Sequence, residues 1–171
     1  MTEVKTSQKR KFRLLPATEA DVIACLENLR QSDIDEVTLM AKTSKRWFPG
    51  WNYKADLLQG ISSQDVWAMW ADDDIMAIGG VADMSKAKFG DKQGLIWMLG
   101  TPFMDKYWRP CLRMTRSWIA MKHKEFIVMG NAIPAKFSGR IKWLQKLGFD
   151  FSADQVEISD ITLVTFWSHR E

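Results

Sequence analysis

The chain has 171 residues, 46% of them hydrophobic, which is the size and apolar content of one domain with one core. Its 24 Lys and Arg against 21 Asp and Glu leave a formal net charge of +3. That suits a local basic face but falls short of the excess by which nucleic-acid binders hold phosphates, so a nucleic-acid partner is not expected. Cys25 and Cys111 form no CxxC pair, and no His stands at ligand spacing, so neither a disulfide framework nor a metal site is expected.

Residues 1–11 are polar and basic with no apolar stretch behind them, and no later run approaches the length of a membrane span. The expectation is a flexible basic tail at 1–11, then a single domain at 12–171, soluble, unsecreted and cytoplasmic, without a membrane partner. Nine tryptophans are spread along the chain rather than clustered beside Lys and Arg, which reads as core material and not as a stacking platform for single strands.

Residues 12–16 read as a short apolar strand, and Thr18 with Asp21 as a capping box opening a helix. Val22, Leu26 and Leu29 repeat at helical spacing. A second start at Ser32 with Asp35 leads into Ile34, Val37 and Ala41, ending near residue 43. Pro49, Gly50 and Gly60 mark 45–63 as a loop with one turn of helix near 55–59. Its aromatics Trp47, Phe48, Trp51 and Tyr53 either cover a pocket or pad the core.

A hairpin follows, with strands at 65–71 and 75–83 joined by Asp72, Asp73 and Asp74 as a solvated turn. A polar connection at 85–92 leads to a fourth strand at 94–100. A long helix begins near Pro110, placed in its first turn, and ends near Lys124. A fifth strand at 126–130, a helix at 137–147 stopped by Gly148, and strands at 149–153 and 161–167 complete the chain.

Two stretches carry a family resemblance. Phe-Arg-Leu-Leu-Pro-Ala-Thr-Glu-Ala-Asp at 12–21 and Arg-Ile-Lys-Trp-Leu-Gln-Lys-Leu-Gly-Phe at 140–149 are similar to the opening and the late helix of the GNAT acyltransferase superfamily. With Asn131 after the fifth strand and a basic helix before it, residues 97–149 look most like small GNAT-like proteins of tailed bacteriophages. The resemblance implies an α/β domain with a mixed, mostly antiparallel sheet flanked by helices, and with splayed fourth and fifth strands.

It also implies acetyl coenzyme A as cofactor, its pantetheine arm in the gap between those strands and its pyrophosphate at the next helix N-terminus. Carried onto this chain, the cofactor-binding positions are Met98, Leu99, Gly100 and Thr101 on the fourth strand and Asn131 after the fifth. The family's glycine-rich phosphate turn is absent. Here it reads Thr-Pro-Phe-Met-Asp-Lys-Tyr-Trp-Arg-Pro at 101–110, so phosphates would rely on the side chains of Lys106, Arg109 and Arg113.

The catalytic residue is left unassigned. The Tyr that many relatives place three residues before Leu-Gly-Phe is Leu144, Phe137 stands where an Asn is common, and 94–100 carries no titratable side chain. His123 and His169 read as surface residues and Cys111 as a packed thiol. The basic run through Arg116, Lys122, Lys136, Arg140 and Lys146 is either a solvated face or a polyanion site.

Two functions stay open. One is a bacteriophage N-acetyltransferase working in the host cytoplasm on an amine of a host protein or small molecule. The other is a catalytically degenerate GNAT-fold protein serving in virion morphogenesis or binding a host or phage protein.

Overall fold

The computed structural model describes residues 10–62, 64–85 and 92–170. The elements run β1 (Phe12–Pro16), α1 (Glu19–Glu27), α2 (Gln31–Thr43), α3 (Tyr53–Ile61), β2 (Val66–Ala71), β3 (Asp74–Asp83) and β4 (Gln93–Gly100). Then follow α4 (Pro102–Lys106), α5 (Trp108–Lys122), β5 (Val128–Pro134), α6 (Ser138–Lys146), β6 (Asp150–Ile158) and β7 (Ile161–His169). The strands make one seven-stranded sheet in the order β1-β2-β3-β4-β5-β7-β6. Every pairing is antiparallel except β4 with β5. The mixed, mostly antiparallel α/β architecture is as the sequence led us to expect.

The two faces of the sheet carry separate apolar cores. On one, Val22, Cys25 and Leu26 of α1 and Ile61 of α3 pack on Ala68, Ile78 and Leu99. On the other, Met104, Cys111 and Trp118 pack on Met69, Met76 and Ile96, with Ile141 and Leu144 of α6 against the same cluster. Helices α1–α3 therefore cover one face and α4–α6 the other.

Local chemistry explains most element ends. The Thr18 hydroxyl accepts from the Asp21 N–H at 3.2 Å while the Asp21 carboxylate accepts from the Thr18 N–H at 2.8 Å, the reciprocal cap read in the sequence. Gly148 follows α6 with φ +88°. Its N–H donates to Gln145 O at 3.0 Å and the Phe149 N–H to Leu144 O at 3.1 Å, a Schellman stop that turns the chain into β6.

Other ends differ from the sequence reading. Helix α2 starts at Gln31 with no side-chain cap, so Ser32 and Asp35 make no capping box and Asp33 turns inward instead. The 45–63 loop contains the full helix α3, because Asn52 caps it by accepting from the N–H groups of Lys54 and Ala55. Gly60 sits in its last turn rather than ending it.

The long helix is two helices. Thr101 caps α4, Pro102 takes its first turn, and Tyr107 ends α4 and begins α5. Pro110 falls third in α5, where a missing N–H costs no intrahelical bond. Strand β5 begins later than the sequence suggested and runs on to Pro134, since β7 pairs with it from Val128 to Pro134. Asn131 is thus inside β5. At the other edge, Arg10 and Lys11 bond the Asp72 turn, and the remainder of the 1–11 tail lies outside the described residues.

Candidate functional site

The parallel ladder between β4 and β5 has only three register pairs, Gln93↔Val128, Gly94↔Met129 and Leu95↔Gly130. Beyond Leu95 the two strands part. On β4, alternate residues turn their backbone groups away from β3 and toward this gap. Ile96 is the first of them, and its carbonyl accepts from Asn131 Nδ2 at 2.9 Å. Asn131 Oδ1 in turn accepts from the Ala132 N–H at 2.8 Å, so one side chain takes over the next rung of the ladder.

The outer end of the gap is closed from α2. The Gly100 N–H donates to Asp33 Oδ1 at 3.1 Å, and the Gly100 carbonyl accepts from the Arg30 N–H at 3.0 Å. Met98 lies midway, two residues from each closed rung, and by the same alternation its N–H and C=O face the gap with no strand opposite.

A cavity of about 290 Å³ occupies the gap. Glu36, Val37 and Leu57 line it from the α2–α3 face, and Trp118, Ile119 and Leu144 from the α5–α6 face, so it passes through the sheet between the parted strands. Met98, Leu99 and Asn131 lie on its walls. An apolar passage with a few fixed polar groups is the usual make-up of a small-molecule site.

One end of this passage carries a buried charge cluster. Asp33, 0% exposed, pairs with Arg30 and with Arg140 Nη2 at 3.0 Å, and Arg140 Nη2 also stands 3.0 Å from Glu36 Oε2. Arg30 further donates to Asp105 at 2.5 Å. Burial pushes the Glu36 carboxyl above the usual carboxylate range, with the Arg140 charge opposing it. Its Oε2 makes the ion pair with Arg140 but receives no hydrogen bond. Glu36 is thus a carboxylate of raised basicity on the cavity wall.

The sequence reading passed over Glu36 because it sought a base on β4. Its only sequence signal was a helix position one turn after a start site. Arg140 and Trp143 also line a second cavity of about 430 Å³, bounded by Lys136 and Ser138 at the start of α6, Arg30 before α2 and Trp108 at the start of α5.

The expected cofactor positions are thus divided. Met98, Leu99 and Asn131 meet on the first cavity. Gly100 adjoins it, with both backbone groups engaged. Thr101 is buried, its hydroxyl donating to Ile75 O at 2.7 Å while it caps α4. Lys106, Arg109 and Arg113 are exposed and line neither cavity. Lys106 lies over the Phe103 and Tyr107 rings and Arg109 over Trp108.

The cysteines are packed, and burial pushes the Cys111 thiol up to about 12. His123, expected at the surface, is instead buried, with Nδ1 3.1 Å from Phe126 O and Nε2 2.8 Å from Ser168 Oγ. Trp118 is core, whereas Trp47 and Trp108 are exposed.

A mixed sheet whose parallel pair parts after three rungs, with α4 and α5 crossing over between those strands, decides the architecture. The fold is that of the GNAT acyltransferases. The chain resembles the structure of yncA, a putative acetyltransferase from Salmonella typhimurium with its cofactor acetyl-CoA, with TM-score 0.66 and 15% identity over 92% of this chain and 93% of the other.

It is also similar to an aminoglycoside N(6')acetyltransferase from Legionella pneumophila, with TM-score 0.65 and 10% identity over 95% and 94% of the two chains. The spermidine N-acetyltransferase from Vibrio cholerae in complex with CoA and spermine gives TM-score 0.62 and 6% identity over 92% and 95%. No protein-family model and no curated protein sequence matches the chain. Within the GNAT fold, no helix among the described residues is long and apolar enough to cross a membrane.

Proposed function

We propose that the chain binds acetyl-CoA in the gap between β4 and β5 and transfers its acetyl group to an amine. The observation that carries this reading is the open rung at Met98, a backbone N–H and C=O facing a through-sheet cavity with no strand opposite. The residues fit the pantetheine arm: Met98 and Leu99 flank it and Asn131 marks its inner end. Gly100 and Thr101 shape the outer end, and Lys106, Arg109 and Arg113 supply positive charge for the phosphates.

Bound acetyl-CoA would supply the thioester, whose C–S bond breaks as the C–N bond to the amine forms, coenzyme A leaving as a thiolate that takes up a proton from solvent. The Met98 N–H is placed to hold a carbonyl oxygen, and the apolar walls at Ile119 and Leu144 keep water away. Glu36, on the α2 side of the passage, takes the proton that the attacking amine gives up. Amine substrates fit the polyamine and aminoglycoside enzymes that share this fold. The phage origin, the host cytoplasm and an amine on a host protein or small molecule rest on the likeness of residues 97–149 described above.

One observation favours the second reading, a GNAT-fold protein that no longer catalyses and serves in virion morphogenesis or host-protein binding. Asp33 and Arg30 already hold both backbone groups of Gly100, at the end of β4 where the phosphates would approach.

Calorimetry decides between the two. The acetyltransferase reading expects acetyl-CoA to bind the wild type, and replacing both Arg109 and Arg113 by Ala to weaken binding at least about tenfold. Wild-type binding with no loss in the double variant takes those two arginines out of the phosphate site. No wild-type binding at millimolar acetyl-CoA leaves the non-catalytic reading as the better one.

A further inference from the structure

Trp118 is 1% exposed and lines the gap cavity from the α5 face, and its indole nitrogen has no hydrogen-bond partner. Native cores seldom leave a buried donor unpaired, and a buried Trp usually finds an acceptor for its N–H. Of the cavity's other polar side chains, Glu36 on the α2 side is ion-paired to Arg140, and those nearer Trp118 are hydrogen-bonded. The Thr115 hydroxyl donates to Cys111 O at 2.8 Å, and both ends of the Asn131 amide are engaged.

Trp118 is also tied to one rung of the sheet. Its Cη2 and Cζ3 atoms would lie 3.4 and 3.6 Å from a Cβ at Gly79, and Gly79 is the register partner of Met98. The six-membered edge of the ring therefore lies against Gly79 of β3, beside the one rung of β4 whose backbone groups face the open gap.

We infer that the Trp118 indole N–H is a ligand donor, bonding a carbonyl oxygen of the molecule held in the β4–β5 gap and acting with the Met98 backbone to position it. The inference rests on the acetyl-CoA reading and adds a residue to it. Such a ligand has carbonyl oxygens of two kinds, the thioester's and the amides' of the pantetheine arm, and coenzyme A with a free thiol has only the second. Trp118 is a positioning residue: the bond it makes orients the chain of the ligand and takes no proton.

The test compares acetyl-CoA with CoA on the wild type and on Trp118→Phe, which removes the N–H and keeps an aromatic ring. A hydrogen bond of ordinary strength predicts binding weakened about five- to tenfold. Loss confined to acetyl-CoA assigns the bond to the thioester carbonyl. Equal loss for both assigns it to an amide, provided the nitrogen itself responds.

That response is read on the unmutated protein. In a ¹⁵N spectrum of the indole N–H groups, the Trp118 resonance, identified by its contacts with the Gly79 α-protons, moves downfield on saturation. A resonance that stays put with both ligands overturns the inference whatever the variant's affinity, because the loss then reflects only the smaller ring. Should the wild type bind neither ligand at millimolar concentration, the acetyltransferase reading falls and takes this inference with it. Wild-type binding with a silent Trp118 overturns the inference alone.

Discussion

The two edges of β4 behave differently although the same eight residues serve both. Toward β3 the strand is paired from Gly94 to Gly100 without a break, while toward β5 it is paired only through Leu95. Intrinsic strand preference belongs to the residue and not to its edge, so it cannot produce this asymmetry. What differs is the neighbouring material. On the β3 edge the backbone finds backbone. On the β5 edge the side chain of Asn131 takes the rung after Leu95, and α2 brings Asp33 and Arg30 to the rung at Gly100. The gap stays open where the Asn131 and Asp33 side chains and the Arg30 main chain satisfy the backbone on either side of Met98, which spares β4 the cost of unmet hydrogen bonds at two rungs.

The open edge is the easier to break. Asp33→Ala strips the Gly100 N–H of its acceptor and leaves Arg140 with Glu36 alone. Removing one member of a buried ionic cluster costs about 3 kcal/mol. Urea unfolding should show a loss of that size with an unchanged slope, and a loss below about 1 kcal/mol would mean that α2 does not hold the outer end of the gap.

The closed edge should be sensitive for a steric reason. A methyl group at Gly80 would meet Trp97 Cζ2 at 2.6 Å and Cε2 at 2.8 Å, so Gly80→Ala forces the indole aside. Overpacking of this kind costs about 2 kcal/mol, read as a lower midpoint of thermal unfolding. An unchanged midpoint would show that Trp97 has room to swing and that the closed edge is looser than its pairing implies.

The smallest effect is a pH dependence at Glu36. Its carboxyl is raised in the folded chain, first by burial, so the native state holds this proton to higher pH than the unfolded state does. The stability contributed by the group is complete below the ordinary carboxylate value of about 4.3 and is lost as pH rises through the raised folded value. Glu36→Gln should therefore flatten the fall in stability over that window, followed as urea midpoints at a series of pH values. A wild type and a variant that track each other across the window would mean that the Arg140 pair cancels the burial.

Short-range chemistry in the sequence determined a good part of the molecule. The Thr18 and Asp21 cap, the Gly148 stop and the order of the strands follow from patterns within a few residues, and the places of Met98, Leu99 and Asn131 on the cavity wall from the family likeness. Only one turn of helix α3 was legible, at 55–59, because Pro49 and Gly60 read as punctuation, while the signal for its full length was a single Asn cap. Only the tertiary structure decided the rest. Asp33 looked like one more polar residue at the start of a helix, yet it is buried on Gly100, 67 positions away. The same holds for Glu36, brought to the cavity wall beside Arg140, for His123, drawn inward to Ser168, and for Trp118, whose N–H is left open. A charge or a donor is placed inside a protein by partners distant in the chain, and no local pattern encodes which partner will be there.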